Sequence, residues 1–292
     1  MNFRGSFVAL VTPFNEDYSV NYDKLGELLE FHIENKTDGI VILGTTAEAT
    51  TLSDEEKDEI VKFSVKKVAK RVPIICGSGS NSTQKAIELS KRYETIGVDA
   101  LLIITPYYNK TNEEGMVKHF EAIASSTSLP IIMYNVPSRT GCSMSVSSIE
   151  RLAQVENIKG IKEASGNISF VAKISHLVSD DFAILSGNDD QIVPIMALGG
   201  SGVISVWANI MPKTVHDLVL SYLNNDVKKA RELQIKYLDV ANDIFLETNP
   251  IPIKEAMNYL GYNVGPLRLP LYEMGNSKEH LHQTLDKIKG VL

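Results

Sequence analysis

Eight short apolar runs, most of them rich in β-branched residues, recur along the chain, and a charged amphipathic stretch follows each one. They are Phe7–Thr12, Gly39–Leu43, Pro73–Cys76, Ala100–Thr105, Pro130–Tyr134, Ile158–Glu163, Phe182–Leu185 and Gly202–Trp207. Continuous apolar runs mark strands of a parallel sheet covered on both faces. Eight of them, alternating with helical patterns, meet the requirement of a (β/α)8 TIM barrel. Helix starts are written between them: Ser53-Asp54-Glu55-Glu56 has the Ser-x-x-Glu form of a capping box, and Ser82 precedes the next helix. Gly97 stands where that helix should end. A doubly wound sheet is the structural competitor, but it carries a glycine-rich loop after its first strand. This chain has Pro13-Phe14-Asn15-Glu16 there.

From about Pro212 the strand signal stops, and helical segments are predicted around Val215–Leu223, Val227–Leu246, Ile253–Leu260 and Lys278–Lys289. The expected organisation is therefore a catalytic barrel over 1–224 and a helical region over 225–292 packed on its flank. Length alone suggests two domains, yet α/β barrels run to roughly 250 residues as one. With 43% hydrophobic residues, a large core is available.

A net charge of -7, spread without blocks, disfavours nucleic acid or an anionic membrane as the main partner. The stretch Met1 to Phe14 does not read as a signal peptide, and no run of about 18 apolar residues offers a membrane span. The two cysteines, Cys76 and Cys142, form no disulfide framework, so a cytoplasmic location is expected. The six histidines are scattered and no metal site is expected. Gly199-Gly200-Ser201-Gly202 precedes the eighth strand, at the end opposite the catalytic face, and reads as a turn rather than a phosphate cradle.

Chemistry in such a barrel belongs to the C-terminal ends of its strands. The sixth run, Ile158 to Glu163, carries a lysine, Lys162, one residue before its end. Period-two alternation puts Ile158, Gly160 and Lys162 on one face. An ammonium in that company is costly to desolvate, which favours the neutral amine, a nucleophile for a ketone carbonyl. The plain alternative is a lysine reaching to the barrel rim. Other strand ends carry Gly44-Thr45-Thr46-Ala47-Glu48, Thr105-Pro106-Tyr107-Tyr108-Asn109, Tyr134-Asn135-Val136-Pro137-Ser138-Arg139-Thr140-Gly141 and Ser186-Gly187-Asn188-Asp189.

This set resembles the dihydrodipicolinate synthase branch of the pyruvate-dependent class I aldolases, whose superfamily includes N-acetylneuraminate lyase. The similarity runs from Gly5-Ser6 to Asn249-Pro250-Ile251-Pro252-Ile253-Lys254, and the motifs are specific in combination. The resemblance implies that Lys162 forms an imine with pyruvate and that Tyr134 is the general acid/base, linked through Thr45 to Tyr108, which reaches in from a neighbouring subunit. It implies that Arg139 binds the carboxylate of L-aspartate 4-semialdehyde, as a planar guanidinium can. Thr46, Gly187 and Ile204 complete the substrate-binding set; Thr46 also suits a helix cap. The implied activity is lysine and diaminopimelate biosynthesis without a cofactor, in a homotetramer built as a dimer of dimers.

Two departures from the family pattern stand out. Ala47 replaces a usual glycine, adding a methyl group to a tight turn. Lys57 and Lys85 put cations where lysine-inhibited members tend to carry His and Glu, so feedback by L-lysine is expected to be weak or absent. Cys142 lies after Gly141, near the expected mouth, and reads as packing. Two other functions remain open: a lyase of sialic or 2-keto-3-deoxy sugar acids, and a non-catalytic sensor of keto acids.

Overall fold

The computed structural model describes residues 3–291. Eight parallel strands close into a barrel in chain order: β1 (Gly5–Ala9), β2 (Gly39–Ile42), β3 (Ile74–Gly77), β4 (Ala100–Ile104), β5 (Ile131–Asn135), β6 (Ile158–Glu163), β7 (Ala183–Ser186) and β8 (Gly202–Ser205). A helix follows every strand, the last of the eight being Pro212–Leu223. This is a TIM barrel with further helices after it.

The local signals act as their chemistry requires. Ser53 Oγ accepts from the Glu56 N–H (3.1 Å) while the Glu56 carboxylate accepts from the Ser53 N–H (2.9 Å). Gly97 ends the helix Thr83–Ile96 at φ 105°, a left-handed conformation that suits glycine. Side chains alternate between two apolar layers. Phe7, Val41, Leu102, Ile132, Leu185 and Ile204 fill the barrel, and a larger cluster packs the helices onto its outside.

Three strand-level expectations are corrected. β1 stops at Ala9, because the Val11 N–H leaves the sheet and donates to Asn209 Oδ1 (3.1 Å). β8 stops at Ser205, because the N–H groups of Val206 and Trp207 both donate to Asp189 Oδ2 (2.9 Å each). Ile158 does not share a face with Lys162. The β5–β6 register shifts between Ile131 and Ile132, which pair with Ile158 and Gly160, so Lys159 is the extra residue. Ile158 accordingly packs with the outer cluster, as do Ile131 and Met133, while Tyr134 and Lys162 stay paired on the inner side.

After the barrel come the helices Val227–Lys236, Leu238–Asp243, Ile251–Tyr259 and Lys278–Asp286. The single helix predicted over Val227–Leu246 is broken at Tyr237, whose ring packs against Trp207 with centroids 5.8 Å apart. The chain between these helices does not stay on the flank. Phe245 and Asn249 reach the mouth of the barrel.

Candidate active site

A cavity of about 270 Å³ opens at the C-terminal ends of the strands. That is just below the usual ligand range of roughly 300–1,000 Å³. Its wall includes Thr45, Thr46, Tyr134, Arg139, Lys162 and Gly187. β6 delivers Lys162, which is only 6% exposed. β5 delivers Tyr134 in register with it, and the Lys162 Nζ lies 4.5 Å from the Tyr134 ring centroid. Among the described residues, no carboxylate forms an ion pair with Lys162.

Gly187 is a glycine for a steric reason. A Cβ there would stand 2.5 Å from the Ala164 Cβ and 3.0 Å from the Lys162 Cε. Its absence leaves the strand-end backbone open beside the lysine stem.

Arg139 sits in the short helix Pro137–Thr140 that follows β5. Its Nη2 donates to the Asn249 carbonyl (2.9 Å), which aims the guanidinium at the cavity. Thr46 Oγ1 accepts from Asn249 Nδ2 (3.0 Å). Thr45–Ala47 is one 3-10 turn, and Ala47 fits it without a left-handed φ; Glu48 takes that conformation instead, at φ 55°.

Two predicted residues lie elsewhere. Ile204 is buried on β8 inside the barrel, in register with Phe7, and does not line the cavity. Tyr108 is 90% exposed, at φ 69°, and a single chain does not bring it to the others. Cys142 donates its thiol to the Pro106 carbonyl (3.0 Å), a packing contact with the loop that carries Tyr108.

Two buried carboxyls frame the lysine strand. Glu163 accepts from Asn135 Nδ2 and from the Ser165 N–H, both at 2.7 Å, and burial pushes its carboxyl above the usual range. Asp189, which holds the turn after β8, is also raised, chiefly by burial. Among the described residues, no group of three or more His, Cys, Asp or Glu side chains could hold a metal ion. Sequence reasoning missed Phe245 on the wall and gave no role to Asn249, Ser138 and Asn188, although each stands in a motif it singled out. For Asn249 a signal existed: it opens the Asn-Pro-Ile-Pro-Ile-Lys motif, which lies outside every barrel strand.

A model of the dihydrodipicolinate synthetase family matches residues 2–288. The chain belongs to that family. It is 55% identical over 275 residues to the 4-hydroxy-tetrahydrodipicolinate synthase of Clostridium perfringens, a match covering 94% of each chain. The crystal structure of dihydrodipicolinate synthase from Aquifex aeolicus superposes with a TM-score of 0.95 at 42% identity, covering 98% of both chains. The chloride-inhibited dihydrodipicolinate synthase from Acinetobacter baumannii, solved in complex with pyruvate, gives 0.95 at 40% identity and 99% coverage of both. This member of the family is thus an enzyme, a lyase of the class I aldolase type.

Proposed function

We propose that this enzyme joins pyruvate to L-aspartate 4-semialdehyde through an imine on Lys162, giving 4-hydroxy-tetrahydrodipicolinate for lysine and diaminopimelate biosynthesis. The observation that carries this reading is the Lys162 amine inside a small cavity, against the Tyr134 ring and, among the described residues, with no carboxylate at ion-pair distance. A free amine there attacks the keto carbon of pyruvate, water leaves, and the iminium becomes an electron sink. Loss of a methyl proton yields an enamine, whose carbon adds to the aldehyde of the second substrate. The amino group of that substrate then displaces Lys162 from the imine carbon, closing the ring and freeing the lysine. Each stage moves a proton. The Tyr134 hydroxyl, which can both donate and accept, is the group we assign to that work.

Two carboxylates must be held for this chemistry. Gly187 and Thr46 are assigned to that of pyruvate and Arg139 to that of the semialdehyde; Ile204, whose side chain is buried inside the barrel, is assigned a part only through its backbone carbonyl. Pyruvate is supported as first substrate by the related Acinetobacter baumannii complex. One chain supplies two hydroxyls of the relay, Tyr134 and Thr45. The third is assigned to Tyr108 of a neighbouring subunit, because a tyrosine 90% exposed is available to reach across an interface. The assembly we propose is a homotetramer, a dimer of dimers, working in the cytoplasm. No described helix is long and apolar enough to cross a membrane.

Feedback by L-lysine is proposed to be weak or absent. A second cavity of about 610 Å³ shares Thr45, Tyr134 and Arg139 with the first and is also lined by Lys57 and Lys85. Both ammoniums already reach the single carboxylate of Asp54, at 3.4 and 2.7 Å, leaving an excess of positive charge against a cationic effector. Half-maximal inhibition by sub-millimolar lysine would refute this.

The function is tested by supplying the purified protein with pyruvate and aspartate semialdehyde, and separately with sialic and 2-keto-3-deoxy sugar acids. Condensation without sugar-acid cleavage is expected. Cleavage without condensation would make it a sugar-acid lyase, and turnover of neither would make it a sensor.

A further inference from the structure

A second lysine is buried near the same mouth. Lys254, in the helix Ile251–Tyr259, is 1% exposed. Its Nζ donates to Glu48 Oε1 (2.8 Å), the Thr12 carbonyl (3.1 Å) and the Pro266 carbonyl (2.6 Å), so all three protons are used. It also lies 4.3 Å from the Phe14 ring centroid. Glu48 is 2% exposed, and its Oε2 accepts from the Arg268 N–H (2.9 Å). A buried ion pair of this kind is weak evidence for stability, since well-packed apolar side chains often serve as well. What it does supply is a fixed geometry between distant pieces of chain.

The pieces it fixes are the ones that carry the site. Glu48 closes the Thr45–Ala47 turn, donating its own N–H to the Thr45 carbonyl (3.1 Å). Thr12, whose carbonyl Lys254 holds, donates its hydroxyl to the Ala47 carbonyl (2.7 Å). Five residues before Lys254 stands Asn249, which touches both Thr46 and Arg139. The Lys254 N–H donates to the Pro250 carbonyl, so the intervening chain is a single helical turn with little slack.

We propose that the Glu48–Lys254 pair is a positioning latch, which fixes the C-terminal segment against the turn after β2 so that Asn249 holds Thr46 and Arg139 ready for the second carboxylated substrate. The latch rests on the reading that Arg139 binds the semialdehyde. Lys254 and Glu48 touch no substrate. They act through Asn249 and the turn.

The test compares the protein with a double variant, Glu48→Gln with Lys254→Met, which removes both buried charges together and avoids leaving one unpaired. Should that variant not fold, Glu48→Gln with Lys254→Gln keeps an uncharged hydrogen-bonding pair and is read in the same way. Two quantities are measured: the KM for aspartate semialdehyde, and the yield of borohydride-trapped adduct at saturating pyruvate. The latch requires the semialdehyde KM to rise at least tenfold while the adduct yield stays at the level of the unsubstituted protein. A semialdehyde KM within twofold of the original overturns it, as does an adduct yield that falls in step with the KM change. Failure of the function reading looks different, because then the unsubstituted protein itself does not turn over aspartate semialdehyde and has no KM for it.

Discussion

Two buried lysines sit at one end of this barrel and are treated in opposite ways. Lys254 has its three protons taken by a carboxylate and two carbonyls, and it is tied to elements far apart in the chain. Burial pulls its amine below the usual lysine range, and the neighbouring Glu48 offsets part of that. Lys162 borders open cavity, with an aromatic face beside it and, among the described residues, no carboxylate at ion-pair distance. The lesson concerns satisfaction of polar groups. A lysine whose donors are filled is committed to structure, whereas one left unpaired beside a cavity is available for chemistry.

The largest expected effect comes from Lys162→Ala. Turnover should fall by about 10⁴-fold or more, the order seen when a covalent nucleophile is removed. The melting temperature should move by no more than a few degrees, because no ion pair is broken. A severe loss of stability, with activity surviving in the folded fraction, would reverse the roles of the two lysines. Next comes Lys254→Met alone, which leaves the Glu48 charge buried without its cation. It should cost about 3–5 kcal/mol in denaturant unfolding. Most of that loss should return when Glu48→Gln is added, a recovery that an unpaired lysine cannot show.

Tyr134→Phe sharpens the Lys162 half of the comparison. It keeps the ring beside the amine and removes only the hydroxyl. A fall in kcat of about 10²-fold, in the range for loss of one general acid/base, is expected with little change in stability. The smallest effect removes a background. His32 is fully buried, with Nδ1 3.0 Å from Thr37 Oγ1, and burial lowers its pKa to about 3. The unfolded chain, with an ordinary imidazole, therefore binds a proton that the folded chain refuses as pH drops below about 6.5. The stability from this group is intact above that pH and is lost as pH falls toward 3. Roughly 2 kcal/mol should disappear between pH 6.5 and 5. His32→Asn should roughly halve the slope in that window, the rest coming from His119, whose pKa burial lowers to about 4, whereas Lys254→Met with Glu48→Gln should leave the slope in place. A slope abolished by the latch variant instead would assign the acid sensitivity to the pair.

The barrel half of the molecule was legible because strands covered on both faces write continuous apolar runs, and β6 runs from Ile158 to Glu163 as read. The cavity was legible for a related reason, since barrel chemistry gathers at strand ends and Lys162 and Tyr134 end neighbouring strands. The bulge at Lys159 left no local mark, so the face of Ile158 was misread. Lys254 was harder still. In sequence it is one lysine in an amphipathic helix, and the Thr12 carbonyl that it holds is 242 positions away. A rule about strand ends also passes over Asn249, which reaches the mouth from the segment before the helix Ile251–Tyr259; only its motif marks it in the sequence. The exposed Tyr108 shows a further limit: a single chain leaves a relay residue outside the cavity that it is assigned to serve.

The most direct test of the account is to treat the protein with borohydride and pyruvate and to map the modified peptide by mass spectrometry. A single reduced adduct on Lys162, with Lys254 untouched, is the expected result. An adduct on any other lysine, or none at all under conditions where the enzyme turns over, would contradict it.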